Sequence, residues 1–598
     1  MFAAAARIRI TVSALAIAVV AAACGGNQSS RRVGDEVPLP AKTERFAKLS
    51  KSFLLSYYMS HPIRATSLGI HSHDAQLPQL DSVSITKRVG VLDEQLKQLR
   101  ALSTTGLPAD GVYDFQLMEH AIQAELLELQ DVRSWQRNPM SYAYLLGGAI
   151  SSLVDNKFAP LEARLTSLIA RVNGFKALIA SARANLKGVP KIYATLGLKS
   201  VKGVIRFLTG DLQKALAAQG LDKVSDKTRA EWKAAHAEAV RAVSAFALWL
   251  EKDILPKASG DFRLGRKVLE KKLRYEEHIS LTIDQLRDMN EAAIKRYTAW
   301  ITKVAAQIDD KKSAAEVIAD IVKHHPTPEQ LIPTADKYVR QAKKLVVDKK
   351  IVTLPTDSLP IVRPTPEYAR SGFASVSVPG PFEPESTAAY YNITNVAPDW
   401  SDAKKHQHLT YFNHPGLLGI SVHEAMPGHF VQLLFRKRAT SDLRKVFQTG
   451  SWVEGWAHYT EQMMVDEGLG GADPKVRIGQ LRRALQRHAR WYAGLALHVY
   501  NVPMDKVVER YQKIAYFAKF PAQRESTRGT YNPTYLYYAL GRMQILALRA
   551  DYKKKVEAAG KTYRIGEFHD RLLELNLPIS LARRALGLSK TTTTPETK

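Results

Sequence analysis

The chain has 598 residues, 45% hydrophobic and 24% charged, the make-up of a globular protein with material for one large domain or two to three smaller ones. Lys and Arg number 85 against 58 acidic residues, a formal charge of +27, yet they are spread along helix-like stretches such as LRRALQRHAR and AEWKAAHAEAV. With no RNA-binding signature and no aromatic-basic platform, that charge reads as a solvated surface beside an anionic envelope, and no nucleic-acid partner is expected.

Residues 1–23 read as a signal peptide: Arg7 and Arg9, then the apolar run TVSALAIAVVAAA, too short for a comfortable membrane span, then small residues before a cleavage point. Ala21-Ala22-Ala23-Cys24 resembles the bacterial lipoprotein box, so Cys24 is the expected lipidation site. It is the only cysteine, which excludes an internal disulfide. Gly25 after it leans towards the outer membrane, periplasmic side. Residues 24–45, polar with Gly and Pro, read as a flexible tether. No later run approaches a membrane span, so a soluble body on a lipid anchor is expected.

From 46 to 345 apolar residues recur at three- and four-residue spacing, as in PLEARLTSLIARVNGFKALIASARANL, and predict a helical N-terminal part. The texture changes near 350, where Pro and Ser accumulate ahead of Tyr390-Tyr391-Asn392-Ile393-Thr394, a strand by its β-branched and aromatic content. Helical periodicity returns at about 415 and runs to 588, and TTTTPETK (589–598 with the preceding residues) reads as a disordered tail. The expected fold is mainly α, one functional unit across 46–345 and 346–588. A small antiparallel β element is expected beside the helix that carries the chemistry.

That chemistry lies in Ser421-Val422-His423-Glu424-Ala425-Met426-Pro427-Gly428-His429. A zinc peptidase needs neutral imidazoles on the metal and a carboxylate beside them to take a proton from water. The usual HExxH spacing puts the two histidines about 40° apart around a helix; a six-residue spacing puts them about 120° apart. A regular helix cannot aim both at one ion. Pro427 and Gly428 supply a way out, and a local bulge or kink there is expected to return His429 to the metal face. A third ligand is sought on another element. In Val453-Glu454-Gly455-Trp456-Ala457-His458-Tyr459-Thr460-Glu461, Glu454, His458 and Glu461 stand at i, i+4 and i+7 on one helical face. Glu454 is the best ligand candidate, with His458 or Glu461 orienting a ligand from behind.

Together, HEAMPGH and EGWAHYTE resemble the domain of unknown function 885 family. The resemblance extends over about residues 45–588, through DFRLG (261–265), HHP (324–326), ESTR (525–528) and YALG (538–541). It implies a largely helical, zinc-metallopeptidase-like protein related in architecture to thimet-oligopeptidase-type enzymes. Residue by residue it implies His423, His429 and Glu454 as metal ligands and Glu424 as general base. Tyr538 and Arg528 are implied as stabilisers of an oxyanion or a substrate carboxylate. Members often carry an Asp ahead of a Leu-His pair; here the pair is Leu497-His498 and the matching position is Gly494, so His498 is the weakest of the site residues.

The expected activity is zinc-dependent hydrolysis of oligopeptides in the cell envelope, with Glu424 moving the proton from water to the leaving amine. The Tyr390–Thr394 strand is expected to pair with extended substrate. Two other readings stand beside it: a metal-dependent amidase of cell-wall fragments, and a non-catalytic binding lipoprotein. Nothing in the residues supports a serine hydrolase, a P-loop or a dinucleotide site, and oligomeric state is not legible.

Overall fold

The computed structural model describes residues 41–365, 372–384, 388–397 and 399–588. The expected signal peptide, Cys24, residues 24–40 of the tether and the 589–598 tail lie outside them. Helix accounts for 72% of the fold and strand for 3%, so the mainly α class holds. Periodicity is the cause. The helix Leu331–Asp348, for example, buries Leu331, Ala335, Val339, Ala342 and Val346, a stripe repeating every three to four residues.

The first helix, Ala41–Ser60, begins inside the stretch expected to be tether. Its Phe46, Phe53, Leu54 and Tyr58 are buried in a cluster with Leu92 and Leu99 of the helix Ser82–Leu102, so apolar spacing overrides the polar flank. This cluster also takes in Leu443 and Val446, and a second one joins the helices Gly265–Glu277 and Ile283–Ala306 to residues 478–543. The two sequence halves therefore share cores.

The strands β1 (Ile361–Pro364), β2 (Ala374–Ser377) and β3 (Tyr390–Ile393) form one sheet in the order β1-β3-β2. β2 pairs antiparallel to β3 but β1 pairs parallel to it, so the sheet is mixed and not the antiparallel element expected. The most apolar strand takes the centre while the Pro- and Ser-containing strands take the edges. Both sides of β3 are thus occupied, which removes Tyr390–Ile393 as a docking strand for substrate. The sheet does lie beside the site: Tyr391 Oη and Ser421 Oγ are 3.4 Å apart.

Six helices build the site: α1 (His414–Glu424), α2 (His429–Lys437), α3 (Gly450–Asp466), α4 (Pro474–His498), α5 (Lys519–Tyr531) and α6 (Tyr537–Ala558). Helices α1, α3 and α4 pack on one another, and α6 lies along α3. The α3–α6 crossing is set by two glycines. A Cβ on Gly541 would stand 2.1 Å from the Ser451 carbonyl oxygen, and one on Gly455 2.6 Å from Gly541 Cα. Only glycine permits that approach, which places the start of α6 against the turn of α3 that carries Glu454.

Candidate metal centre

Asn413 caps α1 by accepting the Gly416 N–H at 3.0 Å, with Pro415 in the first turn where its missing N–H costs nothing. The helix runs to Glu424 and stops. The chain turns through Ala425–Gly428, with Met426–Pro427 cis, and α2 starts at His429. The expected kink is therefore a full break between two helices. A Cβ on Gly428 would lie 1.9 Å from the His423 carbonyl oxygen, so the turn folds tightly back over the end of α1. The indole Nε1–H of Trp456 donates to the Pro427 carbonyl at 2.9 Å and pins the turn to α3.

This break brings the two imidazoles together, with ring centroids 4.7 Å apart and planes at 83°. Thr449 caps α3 by accepting the Trp452 N–H, and one turn further on Glu454 faces both rings. Its Oε2 stands 3.4 Å from His423 Nε2 and 3.3 Å from His429 Nε2. One ligand atom from each of the three residues falls within 4.8 Å of the others. At those separations none makes a well-formed hydrogen bond with another, and the Glu454 Oε2 atom is buried without a hydrogen-bond partner among the described residues. Two imidazole nitrogens and a carboxylate oxygen converging on one point fit a zinc ion. Burial alone would raise Glu454, but the His429 and His423 rings outweigh it and hold the carboxyl well below its usual range. Burial opposes charge on His429, and Glu454 reverses the balance so that its proton affinity rises.

Behind the ligands lies Glu461, as anticipated. Its Oε1 accepts the His423 Nδ1–H at 2.8 Å, which leaves Nε2 as the atom that faces Glu454. Its side chain is fully buried, whereas that of Glu454 retains 24% exposure. Burial would neutralise Glu461, but Arg483 and Arg487 overcome it and hold the carboxyl well below the usual range. Arg483 binds it through two bonds of 2.6 and 2.9 Å, and Arg487 Nη2 donates at 3.2 Å.

These arginines were missed. LRRALQRHAR, expected to be solvated surface, is the middle of α4, and Arg483, Arg487, His488 and Arg490 are all buried. The helix is covered by neighbours on nearly every side, so its cations are paired internally. The signal was present: Arg483, Arg487 and Arg490 share the i, i+4, i+7 spacing of Glu454, His458 and Glu461. Of the two residues expected to orient a ligand, His458 is not the one that bonds His423. Among the described residues both His458 ring nitrogens lack a well-formed hydrogen bond, and Glu461 Oε1 is 3.4 Å from Nδ1.

Glu424 ends α1, half-buried, and its charge is felt by His429, Tyr391 and Arg483. Tyr538 opens α6 inside the field of Glu454, and burial together with that charge raises its pKa. Arg528 Nη2 on α5 donates to the Tyr538 hydroxyl at 3.4 Å. Tyr538 thus lies within electrostatic reach of Glu454, and Arg528 lies beside Tyr538. His498 is engaged elsewhere. Its Nδ1 accepts the Leu264 N–H at 3.2 Å and its Nε2 donates to the Gly529 carbonyl at 2.9 Å, a buried tie between three segments. His324 and His325 lie in a loop, with His325 Nε2 3.4 Å from His406 Nδ1.

Residues 62–586 match the family described as bacterial protein of unknown function (DUF885), and the chain belongs to that family. A candidate lipoprotein of unknown function from Shewanella oneidensis has a similar structure, with a TM-score of 0.75 at 25% identity, covering 90% of this chain and 99% of that one. A candidate lipoprotein from Colwellia psychrerythraea aligns with a TM-score of 0.76 at 16% identity, covering 92% and 99%. No curated protein matches the chain.

Proposed function

We propose that this chain is a zinc-dependent peptidase of the bacterial cell envelope, anchored by lipid on Cys24 and facing the periplasm from the outer membrane. The observation that carries the reading is the convergence of His423, His429 and Glu454 within 4.8 Å, with Glu424 next in sequence to the first ligand. A helical scaffold has no packing need for that set. Zinc held there would polarise a peptide carbonyl and make water a nucleophile near neutral pH.

The protein's own residues do the rest. Glu424 takes the proton from the attacking water and returns it to the leaving amine. Tyr538 donates its hydroxyl to the oxygen that gains charge, a role that needs the neutral phenol which its surroundings favour. Glu461 fixes the tautomer and the orientation of His423, and Arg483 with Arg487 keeps Glu461 anionic. Of the two edge strands, β2 is the one beside α1 and α2 and so the one placed to align an extended peptide.

The test is elemental analysis of purified protein beside His423→Ala and Glu454→Ala, followed by a peptide-library screen. About one zinc per chain, lost in both variants, with cleavage by the wild type, supports the reading. Absence of zinc after zinc is supplied refutes it.

A further inference from the structure

Away from the buried ligands, histidines gather again where the loop 323–330 meets the helix Asp402–Tyr411 and the start of α1. The backbone there is set in advance. The His324 N–H donates to the Ile321 carbonyl at 3.1 Å, and the His324 carbonyl accepts the His414 N–H at 3.2 Å. Thr327 and Gln330 bond one another through N–H groups and side chains at 3.3 Å each way, and Asn395 Nδ2 donates to the Pro328 carbonyl at 2.7 Å. On the facing helix Ser401 caps the first turn, and His408 donates through Nε2 to the Thr394 carbonyl at 2.7 Å while its ring stacks on Phe373. The helix is therefore anchored two residues from His406, and both His325 and His406 project from fixed backbone.

The His325 Nδ1–H donates to the Pro326 carbonyl at 3.0 Å, which fixes the tautomer and leaves the lone pair on Nε2. That atom stands 3.4 Å from His406 Nδ1, with ring centroids 5.3 Å apart and planes at 57°. The separation is long for a hydrogen bond, but it is the edge of a zinc tetrahedron, in which two nitrogens at about 2.0–2.1 Å from the ion lie about 3.3 Å apart. His423 Nε2 and His429 Nε2 stand from Glu454 Oε2 at the matching 3.4 and 3.3 Å. We propose that His325 and His406 form a second, peripheral site for a divalent late transition metal such as Zn2+, Cu2+ or Ni2+. Two imidazoles suit those ions and not Mg2+ or Ca2+. Among the described residues no third His, Cys, Asp or Glu atom joins the pair within 4.8 Å, so water takes the remaining positions, and His406 is exposed to it. With two protein ligands instead of three, the site is weaker than the buried centre. An ion held there clips the loop to the helix beside the start of α1, whether or not the chain is a peptidase.

The test keeps the two sites apart. Protein loaded with zinc and then desalted is titrated calorimetrically with Zn2+, Ni2+ and Mg2+, beside His325→Gln, His406→Gln and His423→Ala, and thermal unfolding without added metal checks that each variant is folded. The wild type takes up about one further Zn2+ or Ni2+ per chain and no Mg2+. His325→Gln and His406→Gln each weaken that uptake by at least about tenfold, because losing a ligand costs no less than losing a ligand's support. His423→Ala, which removes a ligand of the buried centre, retains it. Added Zn2+ raises the Tm of the zinc-loaded wild type, and the two glutamine variants lack that rise. Cu2+ bound to the zinc-loaded wild type shows electron paramagnetic coupling to imidazole nitrogen that both glutamine variants lose. No uptake beyond the buried centre overturns the proposal. So does uptake that is undiminished in both glutamine variants, that is matched by Mg2+, or that is lost in His423→Ala.

Discussion

Glu277 is a carboxylate whose loss has a calculable effect. It ends the helix Gly265–Glu277, is buried, and its two oxygens accept the Gly450 and Ser451 N–H groups at 3.1 and 2.7 Å. It therefore caps the N-terminus of α3 from the N-terminal half of the chain. Burial pushes its pKa from 4.5 up to about 7, against the pull of those N–H groups and with a further push from Glu276. An acid whose folded pKa lies above its unfolded one takes up a proton on folding between the two values. Its contribution to stability is then largest below about 4.5 and is lost as pH rises through about 7. The interval corresponds to roughly 3 kcal/mol at about 1.4 kcal/mol per pKa unit. Glu277→Gln removes this dependence and leaves one amide oxygen for two N–H groups, a pH-independent loss of about 1 kcal/mol. Relative to wild type the variant should be about 1 kcal/mol less stable at about pH 3.5 and about 2 kcal/mol more stable at about pH 8.5, read from urea unfolding at both pH values. A constant difference, or a wild type that gains on the variant as pH rises, would show that the helix terminus keeps Glu277 ionised throughout and would refute the argument.

Four further outcomes follow from the geometry. Glu424→Gln should retain about one zinc per chain while hydrolysis falls below detection; activity within tenfold of wild type would remove Glu424 from proton transfer. Glu461→Gln should weaken zinc binding by roughly 10- to 100-fold in competition with a chelator, because the acceptor of the His423 Nδ1–H loses its charge; unchanged affinity would contradict its supporting role. Gly541→Ala places a methyl group against the Ser451 carbonyl oxygen, 2.1 Å from its Cβ, so stability should drop by at least about 1–3 kcal/mol in thermal unfolding. His498→Asn should cost about 1–3 kcal/mol in the same assay with zinc content intact, and loss of zinc without loss of stability would return His498 to the site.

The chain's local chemistry determined which residues are candidates for the site and what kind of fold holds them. Stripes such as Leu331-Ala335-Val339-Ala342-Val346 make helices whatever the partner, because periodicity is a property of the segment. His423, His429, Glu454 and Glu461 were legible because their residue types and spacing leave few other uses. What surrounds them was decided only by packing. The same arginine-rich stretch is solvated on an outer helix and buried on a central one, and only the packing of α4 against α1, α3, α5, α6 and the helices Ile283–Ala306 and Met504–Ala515 made Arg483, Arg487 and Arg490 internal. The parallel pairing of β1 with β3, the Gly455–Gly541 crossing and the cap supplied by Glu277, 173 residues before Gly450, all depend on partners remote in sequence. A residue's type limits which interactions it can make; its neighbours in space decide which of them it does make, and for a buried charge that choice sets its role.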